Sequence, residues 1–249
     1  MKRVIGFENL KKSIKSFDVI LCTTNSLFST LINQSQNIVN GRGEYTHIAF
    51  CFKGDVFPDN SVFTNQKNKI TYKIDRNETY LFESVVDTGL EGPNIFGEYV
   101  DGVQIRKFDD VFEKYFKLKS EGIFTEIAWA PMTSEFRDKF ESLPKEHTYN
   151  VVKKYLNTPY NSSIVDKLYV PFHWLTVMKV VKNIKDYVYG KNTDGILCTG
   201  LAGQVLNDFY FIRNIDPNTI LTEDFVYETV STKTNKFPKI YLEPLDIAE

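Results

Sequence analysis

Cysteine and histidine are scarce in this 249-residue chain, which contains three of each. The cysteines are Cys22, Cys51 and Cys198, and the histidines are His47, His147 and His173. An odd number of cysteines without Cys-x-x-Cys spacing argues against both a disulfide framework and a zinc site. We therefore expect no metal site, and cysteine–histidine chemistry, which needs no organic cofactor, has few possible partners.

Long apolar runs and basic tracts are also missing. No apolar run has the length of a membrane span, and residues 1–8 lead into charged sequence without the apolar core of a signal peptide. The 30 Lys and Arg residues are interspersed with 32 Asp and Glu residues, giving a net charge of −2. We expect a cytoplasmic protein with no signal peptide and no transmembrane segment, and nucleic acid is not an expected partner.

Hydrophobic and charged residues, at 42% and 25%, have the proportions of an ordinary soluble globular protein. Strand-like runs predominate in the first half, at residues 17–22, 45–52, 79–86, 102–106 and 125–130. Helical periodicity follows Pro131, at residues 134–143 and 146–156. A loop is expected at residues 53–69 and a last strand at residues 239–242. Without repeats or linkers, the chain is predicted to form one domain, 1–249, of α+β class, with a mostly antiparallel sheet packed against helices.

The stretch from residue 194 to residue 206 places a cysteine at the start of a predicted helix. A turn at residues 194–195 precedes apolar residues at helical spacing, so Cys198 falls in the first turn. Unpaired backbone N–H groups and the helix dipole favour a thiolate at such a position and can also bind an oxyanion. The alternative is an inert buried cysteine, since free cysteines are among the most buried residues.

A nucleophilic cysteine needs a base, and the base needs a polar group that orients it. Alternation in residues 45–52 places His47 on one strand face with Ala49 and Cys51. Glu83 lies on a second predicted strand, which we expect to neighbour the first. The chain order of histidine, acid and cysteine is the reverse of that in papain.

Four segments carry a family resemblance. They are residues 17–21 (Phe-Asp-Val-Ile-Leu), 45–49 (Tyr-Thr-His-Ile-Ala), 81–85 (Leu-Phe-Glu-Ser-Val) and 197–202 (Leu-Cys-Thr-Gly-Leu-Ala). In this order they resemble motifs of the circularly permuted NlpC-type, papain-like cysteine hydrolases, in the YiiX/YebB-like branch of bacteria and large DNA viruses. The sequence departs from the pattern at Phe17 and Asn157, which replace glycines, and at Thr199, which replaces a serine. The stretch between Tyr160 and Cys198 is also longer than the family pattern.

The resemblance implies a permuted papain-like fold with an inserted helical segment around residues 162–192. It implies that Cys198 is the nucleophile, His47 the base and Glu83 the third catalytic residue. Residues 157–160 (Asn-Thr-Pro-Tyr) resemble a signature near the active site, which makes Tyr160, with Thr199, a secondary candidate for binding substrate or the oxyanion.

The implied function is hydrolysis or acyl transfer at an amide, peptide-like bond through a thioester. Relatives of this type act on peptide or cell-wall amides, and a related permuted branch, similar to lecithin:retinol acyltransferase, acts on lipid esters. Expected substrates are therefore a peptide, an amino-acid amide or a lipid acyl group. The alternative is a non-catalytic binding or virion structural module on the same scaffold. A viral source would place the protein in the host cytoplasm or the virion.

Several other residues have open or structural interpretations. Ser84 or Asp87 is an alternative to Glu83 as the third residue. The aromatic residues 170–175 are interpreted as core of the inserted helix, as a lid, or as a lipid-docking surface, with peripheral membrane contact through residues 170–189. The remaining cysteines and histidines are interpreted as structural: Cys22, Cys51, His147 and His173.

Overall fold

The computed structural model describes residues 3–25, 44–85, 92–160, 198–213, 222–225 and 238–249. Within these residues the strands are β1 (Val4–Gly6), β2 (Val19–Thr24), β3 (His47–Lys53), β4 (Val62–Thr64), β5 (Thr71–Lys73), β6 (Thr79–Val85), β7 (Gly102–Lys107), β8 (Phe124–Ala130) and β9 (Leu245–Ala248). The α-helices are α1 (Phe7–Ser13), α2 (Phe108–Ser120), α3 (Ser134–Glu141), α4 (Lys145–Tyr155) and α5 (Cys198–Asp208). Short 3₁₀ turns occur at Gly54–Val56 and Thr222–Phe225.

Seven of these strands form one sheet in the order β1-β9-β8-β2-β3-β6-β7. Every pair in it is antiparallel except β1–β9, which is parallel. Strands β4 and β5 form a separate two-stranded antiparallel sheet. The prediction of an α+β protein with a mostly antiparallel sheet is confirmed.

The large sheet is buried on both faces, which is why its strands are rich in aromatic and branched residues. Alternation along β3 divides its side chains between two clusters. Ile48, Phe50 and Phe52 pack on the face covered by α3, α4 and α5. Ala49 and Cys51 pack on the face covered by α1 and α2. The predicted alternation of this strand is therefore observed.

Phe17 occupies the left-handed region of backbone conformation at the entrance to β2, with φ of 70°. A residue other than glycine loses about 1–2 kcal/mol in that conformation. The side chain is fully buried, and its ring centroid lies 4.7 Å from that of Phe50, 5.0 Å from that of Phe140 and 4.7 Å from that of Phe209. Aromatic packing across the first core cluster therefore stabilises a backbone conformation that glycine would adopt more readily.

The buried carboxylate of Asp18 joins β2 to β8 and α3. Its Oδ1 accepts from the Met132 backbone N–H at 3.0 Å and from the Arg137 guanidinium. Its Oδ2 accepts from Trp129 Nε1 at 3.0 Å and from the Lys15 backbone N–H at 2.9 Å. Because a buried charge is tolerated only when it is paired and hydrogen-bonded, this network accounts for an aspartate inside the core.

Two sequence predictions are wrong. Residues 53–69, interpreted as a loop, contain β4, since a three-residue strand is too short to show a clear alternation. Residues 239–242, predicted as a strand, contribute one isolated bridge between Tyr241 and Met132, and the last strand begins at Leu245.

Other predictions fall outside the described residues. These are the inserted helical segment at 162–192, the aromatic residues 170–175, the possible membrane contact through 170–189, His173 and Asp87. Among the helices of the described ranges, none has the length and hydrophobicity that crossing a membrane requires.

Candidate active site

His47 and Glu83 are joined by a hydrogen bond between neighbouring strands. The register of β3 and β6 pairs Phe50 with Phe82, so its continuation brings the start of β3 beside the end of β6. His47 Nε2 lies 2.7 Å from Glu83 Oε2. The Glu83 side chain is fully buried, whereas that of His47 is 19% exposed. The histidine ring is thus held by a buried carboxylate while part of it stays open to solvent.

Arg106 binds the other oxygen of the same carboxylate. Its Nε and Nη2 donate to Glu83 Oε1 at 2.9 and 2.6 Å. The register of β6 and β7 pairs Leu81 with Arg106, so the guanidinium reaches Glu83 diagonally across the sheet from the same face. The arginine side chain is 1% exposed. Sequence reasoning missed Arg106, although a charged residue within a buried strand is a signal of a partner.

Cys198 is the first residue of α5, and it is 9% exposed. Its thiol Sγ donates to the backbone oxygen of Thr46 at 3.8 Å, and Thr46 directly precedes His47. The first N–H groups of an α-helix have no partner within the helix. Because Cys198 contacts Thr46, the N-terminal end of α5 meets the start of β3, beside the histidine.

The cysteine and the carboxylate approach His47 from opposite faces of the sheet. Cys198 belongs to the cluster that contains Ile48. Glu83 lies on the same side of β6 as Leu81, which belongs to the other cluster. His47 can contact both groups because it is the first residue of β3, where its ring lies at the end of the sheet.

The charges of the site shift two pKa values in opposite directions. Burial acts to lower the pKa of His47, but hydrogen bonding with Cys198 and Glu83 outweighs burial and raises this pKa to about 10. Burial acts to raise the pKa of Glu83, but the Arg106 charge and the His47 ring together hold this pKa well below its usual value. Each charge therefore favours the other, and the carboxylate increases the affinity of the ring for a proton.

The secondary candidates for binding substrate or the oxyanion, and the alternative third residue, lie on different elements. Thr199 is the second residue of α5 and is half-buried, and Tyr160 is half-buried at the end of the segment after α4. Ser84 is fully buried and adjoins Glu83 in β6, so its side chain points to the opposite face. Glu83 is accordingly the residue of this pair that contacts His47.

Asn157 forms a turn with φ of 69°. Its N–H donates to Val103 O at 2.9 Å, and Val103 N–H donates to Thr158 O at 2.8 Å. These two hydrogen bonds tie the segment after α4 to β7. A Cβ at Gly102 would lie 2.3 Å from Thr158 O, so the close approach requires glycine there.

The other described cysteines and histidine, interpreted as structural from the sequence, lie in the core or at a helix end. Cys22 and Cys51 are buried in the second core cluster, and burial raises the pKa of the Cys51 thiol well above its usual value. His147 Nε2 donates to Asp208 O at 3.0 Å, so its ring binds the last carbonyl of α5.

Within the described ranges, no group of three or more His, Cys, Asp or Glu side chains is arranged to hold a metal ion. Comparison of the sequence with protein-family models and with curated proteins finds no match.

Proposed function

We propose that the protein is a cysteine-dependent hydrolase or acyltransferase with a permuted papain-like site, acting on an amide, peptide-like bond. Cys198 is the nucleophile, His47 the base and Glu83 the residue that orients His47. The observation that carries this proposal is the 2.7 Å contact between His47 Nε2 and Glu83 Oε2 next to a cysteine at a helix N-terminus. Because Nε2 faces the carboxylate, Nδ1 is the ring nitrogen left for the thiol proton.

The reaction follows from these roles. His47 takes the thiol proton, and the Cys198 sulfur forms a bond to the acyl carbon as the carbonyl becomes an oxyanion. Collapse of this intermediate breaks the C–N bond, and the imidazolium gives its proton to the leaving amine. Water or a second nucleophile, deprotonated by His47, then attacks the thioester. Its attack releases the acyl group and restores the cysteine.

The first turn of α5 supplies donors for the oxyanion. N–H groups in the first turn of a helix have no partner within it, so we propose those of Cys198 and Thr199 as donors, and the helix dipole adds positive potential at the same end. Tyr160 is the side chain that we propose to assist them. Water-excluded donors of this kind typically contribute about 100- to 1000-fold to turnover.

Two backbone conformations support the proposed family. The resemblance aligns Phe17 and Asn157 with glycines, and both residues have φ near +70°. Glycine populates that region at no steric cost, whereas other residues occupy it rarely. Left-handed backbone at both substituted positions is what a shared local fold predicts.

Thiol reactivity tests the proposal. The rate of Cys198 modification by iodoacetamide is measured by peptide mass spectrometry in the native protein and in His47→Ala. We expect Cys198 to react at least about tenfold faster than free cysteine at pH 7 and this excess to vanish in His47→Ala. Cys22 and Cys51 remain unmodified because they are 2% and 0% exposed, whereas Cys198 is 9% exposed.

His147→Ala is the matched control, since it removes a histidine that binds the far end of α5. It should retain the fast reaction. A Cys198 rate equal to that of free cysteine, unchanged by His47→Ala, would instead favour the non-catalytic binding or virion module. Turnover in lipid mixed micelles without any cleavage of peptide amides would favour a lipid acyl hydrolase or acyltransferase.

A further inference from the structure

We propose that Arg106 is a positioning residue of this site, which acts through Glu83 by holding Oε1 and turning Oε2 toward His47. This inference rests on the proposed function. Arg106 donates two hydrogen bonds to Glu83 Oε1, and the effect proposed here passes through that carboxylate.

The two oxygens of the Glu83 carboxylate bind different partners. Both guanidinium donors bind Oε1, at 2.9 and 2.6 Å, so Oε2 is left to accept from His47 Nε2 at 2.7 Å. Nε and Nη2 have a fixed relative geometry, since the guanidinium is planar. The fork therefore fixes the rotation of the carboxylate as well as its charge.

The charge on Glu83 determines the histidine tautomer. An ionised carboxylate accepts only, so Nε2 must carry a proton and Nδ1 can accept one from the thiol. A protonated Glu83 would instead donate to Nε2, which would leave the ring proton on Nδ1. His47 would then have no lone pair for the thiol proton. The site needs Glu83 to stay charged.

Burial opposes that charge. Glu83 is completely buried, and removing a carboxylate from water costs several kcal/mol even after relaxation. Among the influences that favour the ionised form of Glu83, the Arg106 charge is the largest, ahead of His47, and it holds the pKa of Glu83 well below its usual value. Without Arg106 the carboxylate would take up a proton at a higher pH.

A second buried arginine–carboxylate pair among the described residues shows what a purely structural pair looks like. Arg137 binds Asp18, and the remaining acceptor positions of Asp18 go to Trp129 Nε1 and to backbone N–H groups. None of those donors titrates near neutral pH. At Glu83 the second carboxylate oxygen binds His47, which lies beside the Cys198 thiol. This arginine–carboxylate pair can therefore influence the proposed reaction.

Among the described residues, the charges that act on Glu83 are those of His47 on β3 and Arg106 on β7. Burial, together with the charges of Asp18 and Glu83, raises the pKa of the Cys51 thiol on β3 well above its usual value. The acidic limit of Cys198 reactivity therefore reports the protonation of the Glu83–His47 pair, which Arg106 biases.

The test compares pH profiles of Cys198 alkylation by iodoacetamide from pH 3 to pH 9 in the native protein, Arg106→Met and Arg106→Lys. In Arg106→Met we expect the acidic limb to move up by at least about one pH unit, which is about tenfold in rate on that limb. Arg106→Lys keeps the charge without the fork, so its limb should move less. If Arg106→Met fails to fold, Arg106→Lys carries the test.

Arg137→Met is the matched control, because it removes a buried arginine from the structural pair. It should lower stability while leaving the midpoint of the acidic limb unchanged. An equal shift in Arg137→Met and Arg106→Met would mean that the shift reflects general loosening, and it would overturn the inference.

A second readout does not depend on catalysis. Carbon-13 NMR of the glutamate carboxyl groups gives the pH at which Glu83 titrates, and we expect a higher value in Arg106→Met than in the native protein. An unchanged Glu83 titration overturns the role of Arg106 even if Cys198 proves hyperreactive. A slow Cys198 that is indifferent to His47→Ala overturns the proposed function, whatever Glu83 does.

Discussion

Glu83 Oε2 lies 2.7 Å from His47 Nε2, and the two residues belong to adjacent antiparallel strands. Each residue also has a neighbour of its own: Glu83 binds Arg106, and His47 lies beside Cys198. The contact therefore couples a buried ion pair to a partly exposed ring.

Glu83→Gln should lower the pKa of His47 from about 10 toward its ordinary value of 6.5, because the variant keeps the side-chain shape and removes the negative charge. Proton NMR of the histidine ring resonances, followed from pH 5 to pH 11, measures the change. Glu135→Gln is the control, since Glu135 is exposed and pairs with Lys139. A His47 titration that is unchanged in Glu83→Gln would contradict the assigned contact.

Stability should fall as pH rises from about 6.5 to about 10 through the contribution of His47. Its pKa is higher in the folded state, so the folded protein keeps a proton that the unfolded chain has lost over this range. Urea unfolding at pH 6, 8 and 10 measures the free energy of unfolding in the native protein and in His47→Gln. We expect the variant's curve to be flatter, and parallel curves would count against a raised His47 pKa.

At acid pH the contribution of Glu83 makes stability fall as the pH decreases. Its pKa is lower in the folded state, so its stabilising contribution is complete above the unfolded value of 4.5 and is lost as pH falls toward the folded pKa. The native protein should therefore lose free energy of unfolding below about pH 4.5 more steeply than Glu83→Gln. Urea unfolding at pH 6, 4 and 3 provides the comparison. Equal slopes would show that Glu83 titrates alike in both states.

Asp18→Asn should destabilise the protein by about 3–5 kcal/mol, because it leaves the Arg137 charge buried without its partner. The free energy of unfolding from urea titration measures the loss. The pH midpoint of Cys198 alkylation should stay unchanged in this variant, since Asp18 contacts none of His47, Glu83 or Cys198 in the described structure. A shifted midpoint would place Asp18 within the site's electrostatics.

Phe17→Gly should destabilise the protein even though it relieves a left-handed backbone. Loss of a buried phenylalanine costs about 3–5 kcal/mol, whereas relief of the conformation returns about 1–2 kcal/mol. Asn157→Gly is the matched comparison, because Asn157 has nearly the same φ but is exposed. We expect that variant to be neutral or slightly stabilised in thermal unfolding. A stabilised Phe17→Gly would mean that backbone strain outweighs the aromatic packing.

The sequence by itself determined the local elements and the identities of the reactive groups. Alternation placed His47 and Glu83 in strands, and helical periodicity placed Cys198 at a helix start, because side-chain direction repeats with fixed periods along the chain. Three-residue strands such as β4 escaped prediction, since so short a segment has no measurable period.

Only the tertiary structure decided which groups meet. The strand order β2-β3-β6-β7 puts Arg106 beside Glu83, and the packing of α5 on the opposite face brings Cys198 to the end of β3. Such contacts join residues far apart in the chain, so they depend on register and layer order, which no local pattern encodes. A carboxylate buried inside the sheet stays charged only beside a paired partner, and the fold determines which residue that partner is.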